Sequence, residues 1–421
     1  MDKKAYHDKR KRFYRKINHF WADLYGEEYA LYDIAYIDRT ERERIRTVSE
    51  RIGKIFFKVC SLLREVPDRT LIEMGFPKET LSFIRLKSIA SESVIARLDL
   101  IPYGAGYKCI EINADTPTFI KELFHVNSEV CKEFAAEDPN EGMERLLSKE
   151  VCGSIEQYAR KLKLKTPNVV FTAHEDNLED RETVRYIQKL SGVASNFIPL
   201  HKLEIQRGIG LFDEKGSRID ILYRQTFPIE NLISDEDADG NRIGLWLLEL
   251  VEAEKLAIIN PPSAFMLQNK AVQAVIWGLH MEEHPFFTKE EHVWIEESFL
   301  PTYLEPDIFI MSGLSFVKKP VFGREGDTVE IYNHEGFLTH ADAQQSYTEY
   351  LPVYQQYVEH PAVDFNSEKG KQKGRLLLGS FLLNGKPSAA GYRIGGAITN
   401  NLSYYLPFGI KKGGEKNVDS T

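Results

Sequence analysis

The segment from Ala96 to Thr118, ARLDLIPYGAGYKCIEINADTPT, alternates apolar and polar residues on both sides of a Gly-Ala-Gly turn. A period of two around such a turn specifies a β-hairpin, because successive strand side chains point to opposite faces and glycine supplies the backbone that the turn needs. With the turn centred near Ala105, cross-strand partners pair Asp99 with Glu111 and Arg97 with Asn113, all on one face. Leu98, Leu100, Ile110 and Ile112 take the other face. Two carboxylates set directly opposite repel, by up to about 1 kcal/mol in an ordinary sheet. A divalent cation between them reverses that sign, and Asp, Glu and an Asn carbonyl are hard oxygen ligands suited to Mg²⁺. Arg97 suits an anionic substrate or transition state. The plainer alternative is an exposed hairpin whose polar face meets water.

Around the hairpin the period changes. In RTERERIRTVSERIGKIFFKVCSLLREV, the residues Ile45, Val48, Ile52, Ile55, Phe56, Val59 and Leu62 follow helical spacing, so residues 1–90 read as a helical region. The hairpin and the helices after it occupy 91–163. Strand–helix alternation over 164–262, with VVFTA, NFIPL, RIDILYR and LAIIN as strands, predicts a small parallel α/β unit. A helix is expected from about 265 to 287. Short β segments punctuated by Gly and Pro then fill a lobe over 263–410, with HPAVDFNSEKGKQKGR as a polar loop and 411–421 as a flexible tail.

Composition excludes several classes. With 421 residues, 43% of them hydrophobic, the chain builds two or three cores and contains no run of about 18 apolar residues to span a membrane. The basic N-terminus lacks an apolar signal segment, and the four cysteines show no metal or disulfide spacing. A cytoplasmic location is expected. The net charge of −9 disfavours nucleic acid and anionic lipid and welcomes a cationic partner such as a polyamine.

Two further segments carry chemistry. SFVKKPVFGREGDTVEIY brings Lys318 and Lys319 to a Gly323-Arg324-Glu325-Gly326 turn, suited to fold over phosphates or simply a basic hairpin. FMLQNKAVQAVIW places Lys270 among apolar neighbours, as a phosphate ligand or a snorkelling surface lysine. His280, Glu283 and His284 form an H-x-x-E-H pattern, which reads as a zinc protease motif or as a helix end closed by histidines, with Pro285 following at once.

Taken in order, Arg97-Leu-Asp99, Glu111-Ile-Asn113-Ala-Asp115-Thr116-Pro-Thr118, Asn269-Lys270-Ala271, Lys319-Pro-Val-Phe-Gly323-Arg324-Glu-Gly326, Tyr354-Gln-Gln-Tyr357 and Gly391-Tyr-Arg393 running into ITNNLSYYLP resemble the synthetase domain of the glutathionylspermidine synthase family, of the ATP-grasp class. The resemblance runs from about 40 to 410. It implies an ATP-grasp-like fold of mixed α/β and α+β class, with antiparallel sheets around a nucleotide cleft. It also implies an ATP-dependent carboxylate–amine ligase working through an acyl phosphate on small-molecule substrates. By that resemblance Asp99, Glu111 and Asn113 hold Mg²⁺, and Lys270, Lys319, Gly323, Arg324 and Gln356 serve ATP. Arg97 and Arg393 serve the acyl transfer, and Thr116 and Thr118 touch the acid substrate. The acid is expected to be a short peptide or amino acid, and the amine a polyamine or another amine. The chain leaves no room for the amidase domain of the bifunctional members, so hydrolysis of the product is not expected. It also reads INPPSAF before Asn269, where the family has an acidic residue and a tryptophan. A catalytically silent ATP-grasp-like protein that binds a nucleotide or a peptide is the second reading.

Overall fold

The computed structural model describes residues 2–400 and 402–412. The expected flexible tail therefore falls outside the described residues from 413 on, as does Asn401. The N-terminal region forms α1 (Lys3–Tyr14) and the long α2 (Arg39–Glu65). It is not purely helical: a two-residue hairpin pairs Asp23–Leu24 with Glu27–Glu28, and Ala35–Ile37 pairs in parallel with Phe408–Ile410. In α2, Asp38 caps the first turn by accepting from the Glu41 N–H, and the predicted apolar stripe is buried except that Leu63 replaces Leu62 at its end. Each such aliphatic side chain contributes about 1.5–3 kcal/mol on burial.

The predicted hairpin is present as β1 (Ile95–Tyr103) and β2 (Gly106–Asn113). Gly104, at φ +57°, takes the first central position of a two-residue turn, the conformation that glycine adopts most freely. The turn is one half-residue off the expected centre, and a bulge between Asp99 and Leu100 restores the count. Arg97 consequently faces Asn113 and Asp99 faces Glu111, as the spacing predicts. Ile110 is the extra residue. It leaves the apolar face to which the sequence assigned it and turns toward the polar one.

Residues 118–163 are helical as expected, with a π-helical turn at Glu122–Val126 running into a helix at Asn127–Glu133, and then α3 (Met143–Lys161). The expected parallel unit follows: β3 (Val169–Ala173), α4 (Leu178–Ser191), β4 (Ser195–Phe197), β5 (Ile221–Gln225), α5 (Ile243–Glu252) and β6 (Ala257–Ile259), in the all-parallel order β6-β5-β3-β4. A small antiparallel meander over residues 204–219, which the sequence reading passes over, is inserted between β4 and β5.

The expected helix over 265–287 is instead two, α6 (Pro262–Gln268) and α7 (Ala271–Met281), broken at Asn269-Lys270. Asn269 directs its amide elsewhere: Nδ2 donates to the Met74 carbonyl and Oδ1 accepts from the Ala271 N–H. After α8 (Lys289–Ser298), the strands β7 (Thr302–Tyr303), β8 (Phe316–Pro320), β9 (Glu330–Tyr332), β10 (Leu338–Ala341) and β11 (Pro352–Gln356) form an antiparallel sheet of order β7-β11-β8-β9-β10. The stretch read as a polar loop is a hairpin of β12 (Ala362–Ser367) and the start of β13 (Gly370–Leu383), its charges standing on the exposed face. With β14 (Lys386–Gly395) and β15 (Tyr404–Leu406), β13 extends the first hairpin into a sheet of order β15-β14-β13-β1-β2.

The apolar face of that sheet rests on α2, where Ser49 and Ser380 hydroxyls meet at 2.7 Å and a Cβ on Gly53 would stand 2.6 Å from Leu382. Its polar face is thereby turned away from the core. No helix among the described residues is long and apolar enough to cross a membrane, and all four cysteines are free.

Candidate active site

A cleft is lined by the polar face of β1–β2, by β8 and β11 of the five-stranded sheet, and by the loops around residues 323–327 and 397–399. Of the residues that the family resemblance assigns to the site, all line this cleft except Thr116. Thr116 lies behind the wall, where its carbonyl accepts from Arg324 Nη2 at 2.5 Å and from Gln225 Nε2 at 3.0 Å.

The opposed carboxylates are held by cations and an amide. Arg97 grips Asp99 in bidentate fashion, Nε to Oδ1 at 2.6 Å and Nη2 to Oδ2 at 3.0 Å. Its remaining nitrogen donates to the Thr118 carbonyl at 3.0 Å. Gly379 sits opposite Asp99 in β13, and a Cβ there would press on Arg97 Cδ at 3.3 Å and on Phe119 at 3.1 Å. The missing side chain makes room for the guanidinium. Asn113 Nδ2 spans the pair, 3.4 Å from Asp99 and 3.2 Å from Glu111. Burial alone would raise the Glu111 pKa, but Lys270, Lys319 and Arg97 together overcome it and bring it down to about 2.

The break between α6 and α7 is what delivers Lys270. Its backbone N–H donates to the Val321 carbonyl, and its Nζ reaches the Gly323 carbonyl at 2.8 Å and Glu111 at 3.5 Å. Lys319 donates from Nζ to the carbonyl of the bulged Ile110 at 3.1 Å and to Gln355 Oε1 at 2.6 Å. Gln355 in turn donates to Gln273 and Thr302, and Gln273 donates to the same Ile110 carbonyl. An ammonium has three protons, so this ring leaves Lys319 one to offer the cleft. Burial lowers the Lys319 pKa to about 8, with Lys270 pushing the same way and Glu111 opposing.

The turn at 323–326 bends across the cleft. Gly326 has φ +76°, and a Cβ on it would stand 2.7 Å from the Thr399 carbonyl oxygen, so the turn closes on the 397–399 loop only with glycine there. Arg393 lines the far wall and donates to the Asn400 carbonyl at 2.8 Å.

The structure adds residues that the sequence reading missed. Glu179, in the first turn of α4, lines the cleft, as does Tyr29, whose hydroxyl donates to the buried Glu122 at 2.7 Å. Burial, reinforced by Glu122, Asp180 and Glu325 and opposed by Arg393, raises the Glu179 carboxyl well above its ordinary value. The signal for Glu179 was its place just after a parallel strand, where ligands of such sheets gather. Tyr29 and His360 are brought in by tertiary folding and carry no local signal, whereas Gln355 stands in the Tyr354-Gln-Gln-Tyr357 motif without a role assigned to it.

The H-x-x-E-H pattern does not assemble as a metal site. Helix α7 ends at Met281, and Glu283 takes φ +47°. His280 pairs with His292 and Glu296, while His284 accepts from the Phe286 N–H. Among the described residues no group of three or more His, Cys, Asp or Glu is placed to hold a metal ion. In the departing INPPSAF segment, Asn260 plays a structural part. It accepts from the Val94 and Ile95 N–H groups and donates to the Asp115 carbonyl, fastening β1 to the parallel sheet.

Comparison with known proteins agrees with this architecture. The family described as "Glutathionylspermidine synthase preATP-grasp" matches residues 2–411. A Haemophilus influenzae protein carrying the name "Putative acid--amine ligase" is 24% identical over 405 residues, covering 93% of this chain and 91% of that protein. A glutathione synthetase-like effector from Globodera pallida, solved in its apo form, matches with a TM-score of 0.58 at 12% identity, across 97% of this chain and 98% of that one. The last is a likeness of fold.

Proposed function

Because the chain belongs to the glutathionylspermidine synthase preATP-grasp family, we propose that it is an ATP-dependent ligase that joins a carboxylate to an amine through an acyl phosphate. The observation that carries this reading is the sorting of charge in the cleft. Arg97, Lys270 and Lys319 surround Asp99 and Glu111 on the hairpin, while Glu179 stands with Asp180 and Glu325 near Arg393 and Arg324. Phosphoryl transfer needs the cations, because negative charge spreads over the equatorial oxygens of the transferred group. An amine nucleophile needs the acids.

In this reading Lys270 and Lys319 bind phosphate oxygens, each already anchored to a backbone carbonyl and so oriented before the ligand arrives. Asp99, Glu111 and Asn113 fit Mg²⁺. Asp99 and Glu111 would hold the ion as hard carboxylate ligands, with the Asn113 side chain beside both to supply a third oxygen. When bound, the ion neutralises phosphate charge and orients the phosphoryl group. Arg97 and Arg393 flank the activated carboxyl, and Thr118 lies beside Arg97 on the acid side. Arg324 and Gly326 close the 323–326 turn and exclude water, which otherwise hydrolyses an acyl phosphate.

The chemistry then balances as follows. A carboxylate oxygen takes the γ-phosphoryl group with ADP as leaving group. The substrate ammonium gives one proton to ionised Glu179, the freed amine nitrogen attacks the carbonyl, and inorganic phosphate departs with the nitrogen's second proton. An arriving ammonium is the partner that lets Glu179 ionise, and Glu122 behind Tyr29 adds to the pull. An acid drawn from amino acids or short peptides and an aliphatic amine or polyamine fit this arrangement. ADP release with Mg-ATP across such pairs, with mass spectrometry of the products, tests it. The expected product is lighter by one water than its two substrates; protein that binds no Mg-ATP sinks the reading.

A further inference from the structure

The meander over residues 204–219 helps to enclose a second cavity, of about 760 Å³, on the face of the parallel sheet that carries α5. Its walls are apolar. Ile205 and Leu211 come from the meander, Leu222 from β5, and Ile243 and Leu247 from α5. Helix α5 is fastened there at Gly244, whose N–H donates to the Asp235 carbonyl at 3.3 Å. A Cβ on Gly244 would stand 1.7 Å from the Leu232 carbonyl oxygen, so only glycine lets the helix come this close. The volume is that of a small-molecule site, and no residue lines both this cavity and the hairpin cleft.

The charged residues that line the cavity are of one sign. Glu175 and Asp176 enter with His174 from the loop after β3, and Asp235 and Glu236 enter from the segment between β5 and α5; no lysine or arginine lines it. Glu175 Oε2 lies 3.7 Å from His201 Nε2. The carboxylates of Asp176, Asp235 and Glu236 make no hydrogen bond or ion pair among the described residues. The basic side chains adjoining in sequence are engaged elsewhere, Lys202 at 3.9 Å from Glu214 and Arg242 at 3.4 Å from Glu79. The cavity thus combines an apolar chamber, which gains by burying hydrocarbon, with an acidic rim, which favours a positive head group. It also adjoins the reversal of strand order between β3 and β5, where open parallel sheets hold ligands.

We infer that this cavity binds an aliphatic amine in its ammonium form, at a site separate from the hairpin cleft. The loop after β3 that borders it leads into α4, which carries Glu179 in its first turn, so the two sites share one loop. The inference does not rest on the ligase reading.

Ligand-observed NMR titration of the full chain tests it with hexylamine, butylamine, hexanol and hexanoate. The chain carries Glu179→Gln, which removes the acid proposed to meet an amine in the cleft. Hexylamine is expected to bind about tenfold more tightly than butylamine, the effect of two further buried methylenes. It is expected to bind about fivefold more tightly than hexanol, the scale of a charge pair at an open rim, with hexanoate weakest. Asp235→Asn with Glu236→Gln should bring hexylamine down to the level of hexanol. Ile243→Trp, which fills the chamber from its half-buried wall, should remove binding of all four. Hexanol or hexanoate binding as tightly as hexylamine overturns the inference, as does hexylamine binding that both variants leave unchanged, or none at all. The ligand series decides the sign of the site even if a variant does not fold, and none of these outcomes bears on ADP release from the cleft.

Discussion

The two walls of the cleft solve opposite electrostatic problems. On the hairpin side, Asp99 and Glu111 face each other in a buried strand pair, and the protein surrounds them with Arg97, Lys270 and Lys319, so that Glu111 stays ionised far below the usual carboxylate range. At Glu179 the protein does the reverse. Burial, with Glu122, Asp180 and Glu325 beside it, raises its pKa against the pull of Arg393. Carboxylates of one chemical type are thereby shifted in opposite directions by their neighbours, a division expected where one side takes a polyanion and the other a cation.

The largest expected effect comes from breaking the hairpin side. Arg97→Ala removes the bidentate partner of Asp99 and the proposed contact to the activated carboxyl, and turnover should fall by about 10³-fold, the scale of losing a preorganised transition-state donor. Circular dichroism and thermal melting should still report a folded chain, since the core face of β1 is untouched. Near wild-type turnover in this variant would falsify the site assignment. The acidic side predicts a different signature. Glu179→Gln keeps shape and removes charge, so KM for the amine should rise by roughly 10–100-fold, the loss of one charge-assisted pair at a partly desolvated site. ATP affinity should stay put. A variant that loses ATP affinity instead would show that the two regions are not divided as proposed.

The same contrast explains what the sequence disclosed. The hairpin was legible because strand period, turn glycines and cross-strand pairing are local rules, and together they set Asp99 against Glu111 before any tertiary information. Even there the count succeeded through two compensating local events, a turn half a residue early and a bulge at Ile110. That bulge has consequences, because the freed Ile110 carbonyl anchors both Lys319 and Gln273. The position of Lys270 was legible as a candidate, while its mechanism of delivery was not. Continuous apolar periodicity hid a helix break that Asn269 makes by bonding to Met74, nearly two hundred residues away in the chain. Tyr29 and His360 are joined to the site only by packing between separate elements, so no spacing in the sequence could flag them. The charged hairpin of β12 and β13 was misread because exposed polar residues on one face look the same in a loop and in an edge strand.

The smallest expected effect concerns pH and comes from Lys319. Its ammonium is the form that binds phosphate, and burial has brought its pKa in the empty cleft down to about 8. The sign follows from which state holds the proton more tightly. A bound polyanion raises the lysine pKa, so the complex takes up a proton that the free protein has lost above about pH 8, and binding weakens as pH rises through that value. Nucleotide affinity should be nearly flat below pH 7 and fall by about tenfold between pH 7 and 9, in proportion to the ammonium fraction. Lys319→Met should bind more weakly throughout and lose this slope, whereas Glu179→Gln should keep it. A wild-type affinity that is level from pH 7 to 9 would mean that Lys319 stays charged in the empty cleft, with Glu111 outweighing burial, and the division between the two walls would then rest on paired charges alone.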